Sequence, residues 1–183
     1  MYNRNRKWIP GAMYHITCRG TRRAALFYSN EDRQAFLLFL EIAMKRYPFK
    51  LHAFCLMTNH VHLQIETISH PISKIMQFIN WNYRNFFNKK NGHSGHVFDK
   101  RYSAVLVDSW RYVVDLSKYI HLNPLKAGLV KKLEDYIWSS YPIYARIGNS
   151  DLVTTNKILS FFPEPQTENY LSYHYSPSPL HHF

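Results

Sequence analysis

Met57-Thr58-Asn59-His60-Val61-His62-Leu63-Gln64-Ile65-Glu66 is the stretch on which the reading of this chain turns. From His60 onward it alternates strictly. His60, His62, Gln64 and Glu66 point one way, and Val61, Leu63 and Ile65 the other. A period of two over seven residues predicts a strand with one apolar and one polar face. Imidazoles two residues apart on such a strand lie on the same side, about 6.5–7 Å apart along it. That separation lets both converge on one divalent ion at metal–nitrogen distances of about 2.1 Å. The plainer reading is that both histidines only line a half-exposed strand, and His-x-His by itself does not choose.

Just upstream, Leu51 to Met57 is almost wholly apolar, as an interior strand is. Thr58-Asn59 then turns the chain back, so the two strands are expected to form a hairpin. Met13 to Cys18 reads as a first strand, closed by Arg19-Gly20. A helix is expected from near Asn30, its N-cap, with Glu31 and Asp32 in the first turn, Phe36, Leu37, Phe39 and Leu40 as its apolar stripe, and a stop before Pro48. A second helix is expected from Ile72 to Asn88, and a strand from Tyr102 to Val107. A third helix should run from Trp110, capped by Asp108 or Ser109, to about Leu122, where Asn123-Pro124 stops it. Ala127 to Val130 and Tyr136 to Tyr141 read as packed irregular structure with a short helix, and Ser176 to Phe183 as a mobile tail. The expected organisation is one domain over residues 1–147 and an acidic, Pro/Ser/Tyr-rich extension over 148–183.

A chain of 183 residues with 46% hydrophobic content can bury a real core. Its formal charge is +11, and residues 1–147 hold all but one of the 23 Lys+Arg and all but three of the 12 Asp+Glu. The basic part is thus the part expected to fold, which favours a polyanionic partner over a merely solvated basic surface. Arg4, Arg6, Lys7, Arg19, Arg22 and Arg23 all precede the first acid, Glu31, with Trp8 and Tyr14 among them, and are the expected phosphate contacts. No apolar run is long enough for a membrane-spanning helix, and no apolar segment follows the first charges as a secretory signal requires. Cys18 and Cys55 each fall inside an expected strand, which suits buried thiols in a reducing cytoplasm.

A metal held by two neutral imidazoles can polarise a phosphoryl oxygen, but it needs a nucleophile beside it. The chain has no Gly-rich phosphate loop and no serine or cysteine in a nucleophile setting; tyrosine remains, able to form a covalent phosphodiester with DNA. Composition cannot choose among 14 tyrosines. On the third helix Tyr112 and Tyr119 share a face, and Asn123 follows Tyr119 by one turn, where its amide oxygen could be a third ligand. Tyr119 as an ordinary interfacial aromatic and Asn123-Pro124 as a simple helix stop fit the same spacing. His93 and His96 sit in a Gly-rich loop without a fixed backbone to aim them.

Met57 to Leu63, together with Tyr119-Ile120-His121-Leu122-Asn123-Pro124-Leu125-Lys126-Ala127-Gly128-Leu129-Val130, resembles the single-tyrosine HUH transposases, and among them the REP-associated, insertion-sequence-200-like branch. Gly95-His96-Val97-Phe98 with Arg101-Tyr102, and Trp138-Ser139-Ser140-Tyr141, resemble further blocks in the same order, so the likeness spans about residues 10–145. It implies an α+β, ferredoxin-like fold: an antiparallel sheet backed by helices, with His-x-His on a central strand. It implies Mg²⁺ or Mn²⁺ on His60 and His62, Tyr119 as the nucleophile, and nicking of single-stranded DNA beside a hairpin through a 5′-phosphotyrosine link that a 3′-hydroxyl later resolves; Tyr112, on the same helix face, is the reserve nucleophile. Asn123 stands where the insertion-sequence branch has a longer glutamine, and Thr58 where a proline is expected. The resemblance leaves monomer and homodimer both open. Two rival readings are an inactive, domesticated binder of structured single-stranded DNA or RNA, and a metal-dependent hydrolase that uses water.

Overall fold

The runs of alternating and apolar residues become four strands of one sheet: β1 (Met13–Arg19), β2 (Phe49–Leu56), β3 (His60–Thr67) and β4 (Ser103–Val107), in spatial order β2-β3-β1-β4. Every neighbouring pair is antiparallel. Helix α1 (Asn30–Arg46) connects β1 to β2, and α2 (Ile72–Asn91) connects β3 to β4. A βαββαβ chain with this strand order is the ferredoxin-like arrangement, and it puts the histidine strand inside the sheet. The computed structural model describes residues 8–177, so Arg4, Arg6 and Lys7, and most of the expected tail, lie outside the described residues.

The two faces of the sheet bury different cores. Ile16 and Cys18 of β1 and Val61, Leu63 and Ile65 of β3 join Phe36 and Leu40 of α1 and Ile75, Ile79 and Tyr83 of α2 in one cluster. Helix α1 begins one residue earlier in effect than its sequence suggests, because Ser29 and not Asn30 is the N-cap: Ser29 N–H donates to Asp32 Oδ2 at 2.9 Å in a capping box. Asp32 also accepts from Lys90 of α2 at 2.7 Å, which ties the two helices together.

The plainer reading, a half-exposed opposite face, does not hold. Helix α3 (Trp110–Lys126) lies across it, and Val113, Leu116 and Ile120 pack with Met13, Ala53 and Cys55. His62, Gln64 and Glu66 are therefore buried. Gln64 answers its burial by donating from Nε2 to the carbonyl of Val113 at 2.9 Å. Period-two patterning reports which residues share a face, but not whether a distant helix covers that face.

Helix α3 also outlasts its expected stop near Leu122, carrying Asn123 and Pro124 in its last turns. A proline there removes one backbone donor, and the Asn123 side chain offers another, donating to the Tyr119 carbonyl at 2.8 Å. Beyond α3 come a 3-10 turn (Leu133–Asp135) and the short helices α4 (Tyr141–Tyr144), α5 (Asn156–Leu159) and α6 (Gln166–Tyr173). Two segments seal the outer edge of β2: Leu56 N–H donates to Trp138 O, and Thr154 N–H to Leu51 O. Residues 149–177 pack on the fold, with Ile158 and Tyr170 wholly buried against α3. Among the described residues, no helix is long and apolar enough to cross a membrane.

Candidate active site

The β2–β3 turn fixes the first site residue. Asn59 is held by its carbonyl, which accepts from Gly20 N–H at 2.9 Å, and by its Nδ2, which donates to Arg23 O at 3.2 Å. So anchored, its Oδ1 lies 2.8 Å from His60 Nδ1. An amide oxygen only accepts, so His60 carries its proton on Nδ1 and keeps a lone pair on Nε2. His62 follows on the same face, and the two rings lean together to a centroid distance of 4.9 Å at 86°.

The second contributor comes from β1. The register pairs Thr17 with His62 and Arg19 with His60. His15, one pleat further along β1, reaches His62: its Nε2 is 3.0 Å from His62 Nδ1, and Thr17 Oγ1 lies within 3.5 Å of both nitrogens. Burial holds all three imidazoles below their ordinary range. His15 falls to about 4 through desolvation alone. In His62 desolvation acts first, followed by the charges of His15, His60 and Arg19. His60 is depressed by desolvation and by Arg19. All three rings are thus neutral at pH 7, the form in which a histidine binds metal.

Tyr119 comes from α3 and is half-buried, its phenol edge-on to His62 at 5.4 Å and to His15 at 5.9 Å between ring centroids. Desolvation raises its pKa, while a hydrogen bond from Asn123 and the charge of Arg19 pull the other way. Lys126, two turns on, stands 5.6 Å from the centre of the same ring. Asn123 donates from Nδ2 to the Tyr119 carbonyl at 2.8 Å, and its amide lowers the Tyr119 pKa and raises that of His60.

The sheet and α3 thus bring together His60, His62, Tyr119 and Asn123, which lie 63 residues apart at the extremes of the sequence. Arg19 joins them at the end of β1. Arg22 and Arg23 follow in a 3-10 turn, with φ of 53° and 63°. Both are strained left-handed conformations for non-glycine residues, pinned by Thr21, whose N–H donates to Val97 O and whose hydroxyl donates to His96 O. Tyr112 sits two turns back along α3, beside Asp108. His93 packs edge-on to Phe87. His15 and Thr17 went unnoticed in the sequence, where nothing but strand register could reveal them.

Two neutral imidazoles and an amide oxygen suit a divalent first-row ion, with remaining positions left to water or phosphate oxygens. Among the described residues no group of three or more His, Cys, Asp and Glu gathers as a metal cluster, and the further donor beside the imidazole pair there is the Asn123 amide. That donor set fits an ion shared with a substrate better than a closed structural site.

A family model described as "Transposase IS200 like" matches residues 9–123, a span that takes in His15, the histidine pair, Tyr119 and Asn123. A Haemophilus influenzae protein described as a REP-associated tyrosine transposase is 24% identical over 155 residues, covering 77% of this chain and 86% of its own length. Among solved structures, a REP-associated tyrosine transposase bound to a REP hairpin superposes with a TM-score of 0.68 at 17% identity, covering 84% of this chain and 98% of that one.

Proposed function

The chain belongs to the family of IS200-like transposases, and on that premise we propose that it cuts and rejoins single-stranded DNA beside a hairpin, with Tyr119 as the nucleophile. The observation that carries the proposal is the half-buried Tyr119 phenol standing against the buried His62 ring at 5.4 Å. A phenol in ordinary interfacial packing has no need of a neutral imidazole pair at its edge. The hairpin as partner rests on the REP-associated relative, whose structure was solved with one.

In this reading Tyr119 Oη attacks the scissile phosphorus. One P–O bond forms to the phenol oxygen as the bond to the 3′ oxygen breaks; the phenol proton departs and the leaving 3′ oxygen takes one up. The product is a 5′-phosphotyrosine link that conserves the bond energy for rejoining by a second 3′-hydroxyl. Arg19 lies close enough to influence the phenol electrostatically and offsets part of the burial that raises its pKa. Asn123 favours ionisation of the phenol, lowering its pKa. Arg22 and Arg23, in their rigid turn next to Asn59, are the proposed backbone contacts, together with Arg4, Arg6 and Lys7. His60 and His62 would hold Mn²⁺ or Mg²⁺, with Asn123 as a further oxygen donor, and such an ion polarises the phosphate under attack. Imidazole donors favour Mn²⁺ of the two.

The test is incubation of the protein with 5′- and 3′-labelled hairpin oligonucleotides and Mn²⁺, followed by a denaturing gel and peptide mapping of any adduct. The wild type is expected to carry a covalent adduct on Tyr119. Tyr119→Phe should form none while binding the hairpin within a few-fold of wild type. Cleavage by that variant would remove Tyr119 as the nucleophile, and cleavage by wild type without any adduct would point to activated water instead. Binding with no cleavage at all would favour the inactive binder.

A further inference from the structure

We propose that His15 is a positioning residue that fixes the tautomer of His62, accepting a hydrogen bond from His62 Nδ1–H so that His62 Nε2 keeps a free lone pair. The contact is direct, 3.0 Å between His15 Nε2 and His62 Nδ1, with both rings buried. The ring centroids are 5.2 Å apart and the planes 26° from parallel. Either nitrogen of such a pair could in principle carry the proton, because each imidazole can donate or accept.

The neighbouring residue argues for one direction. His60 on the same strand face is protonated on Nδ1, because Asn59 offers its Nδ1 only an oxygen. If His62 follows suit, the two imidazoles present like nitrogens, and both can serve one electrophile. If His15 donates instead, His62 turns an N–H into the site and the pair cannot act together. Thr17 Oγ1, 3.4 Å from His62 Nδ1 and 3.5 Å from His15 Nε2, closes the triangle and can accept from the first while donating to the second. His15 thus does for His62 what Asn59 does for His60, from the adjacent strand instead of the turn. Partners of this kind around a ligating histidine fix ring orientation, and their loss costs on the order of 10–100-fold in metal affinity.

This inference deepens the metal-assisted reading and rests on it for its consequence, but its primary test does not use DNA. Long-range ¹H–¹⁵N spectra of the ¹⁵N-labelled full chain report which nitrogen of each histidine is protonated, with His62 identified by the loss of its signals in His62→Gln. His62 is expected in the Nδ1–H form. His15→Gln, whose amide oxygen can still accept, should keep that form and keep Mn²⁺ affinity within about threefold. His15→Leu should lose the preference and weaken Mn²⁺ binding by about 10–100-fold, with an unfolding midpoint and amide spectrum that show it folded. Were His62 Nε2–H in the wild type, or Nδ1–H still dominant in a folded His15→Leu, the assignment of His15 would be overturned, whatever the DNA assay gives. A Tyr119 variant that still cleaves would sink the proposed nucleophile and leave the His15 result standing.

Discussion

Asn59 is half-buried in a two-residue turn, yet three hydrogen bonds converge on it, and one of them decides which nitrogen of His60 bears a proton. Asn59→Ala removes that acceptor and leaves the backbone bond from Gly20 intact. Nicking is expected to fall by about 10–100-fold, the range found when a partner that orients a ligating histidine is lost, while Asn59→Asp, which keeps the oxygen, should retain most of it. An Asn59→Ala protein as active as wild type in a single-turnover nicking assay would show that His60 needs no such partner. At this scale the sequence was only partly readable. His60, His62 and Tyr119 stood out by spacing and by resemblance. His15 did not, because its sole distinction is to lie one pleat from the residue opposite His62, and register between strands 47 residues apart is not written in either strand alone.

Helix α3 carries the phenol on one side and leans on the C-terminal segment with the other. Asp115 accepts from the Tyr173 hydroxyl, Lys118 Nζ donates to Ser176 O at 2.6 Å, and the Tyr170 hydroxyl donates to Ser117 Oγ at 3.0 Å. His121, wholly buried, stands 3.1 Å from His174 Nε2 and 2.7 Å from Ser140 Oγ. These four α3 residues flank Tyr119, so the helix that aims the phenol is tied to α6 and the residues just after it. Tyr170→Ala should cost about 3–5 kcal/mol, the usual loss for a large aromatic cut from a packed site, measured as the drop in urea unfolding free energy. A loss under about 1 kcal/mol would mean that the extension adds little to the fold. Tyr170, Tyr173, His174 and Ser176 lie 53–58 residues from their α3 partners, and an acidic, Pro/Ser-rich composition gave no hint that this segment packs against α3.

Across the molecule, buried neutral histidines make folding sensitive to mild acid. Burial holds His174 at about 4 and lowers His52 and His121 as well. A histidine depressed in the folded state takes up its proton first in the unfolded chain, near pH 6.5, so stability is full above that and drains away as pH falls from about 6.5 toward 4. His174 contributes a slope of about 1.4 kcal/mol per pH unit in that window, and His52 and His121 act in the same direction. The urea midpoint is expected to drop clearly between pH 7 and pH 5, and a flat midpoint over that range would show that these rings are not held neutral by burial. The amino-acid sequence determined the strands, the main helices, the basic character and the pair of histidines on one strand face, because periodicity, turn residues and charge are local properties of the chain. Whether that face was wet or covered, which tyrosine met it, and which neighbour set the state of each imidazole were decided by the tertiary structure. Those are contacts between β1, β3 and α3, and they exist only once the sheet has fixed its register and a helix has been laid across it.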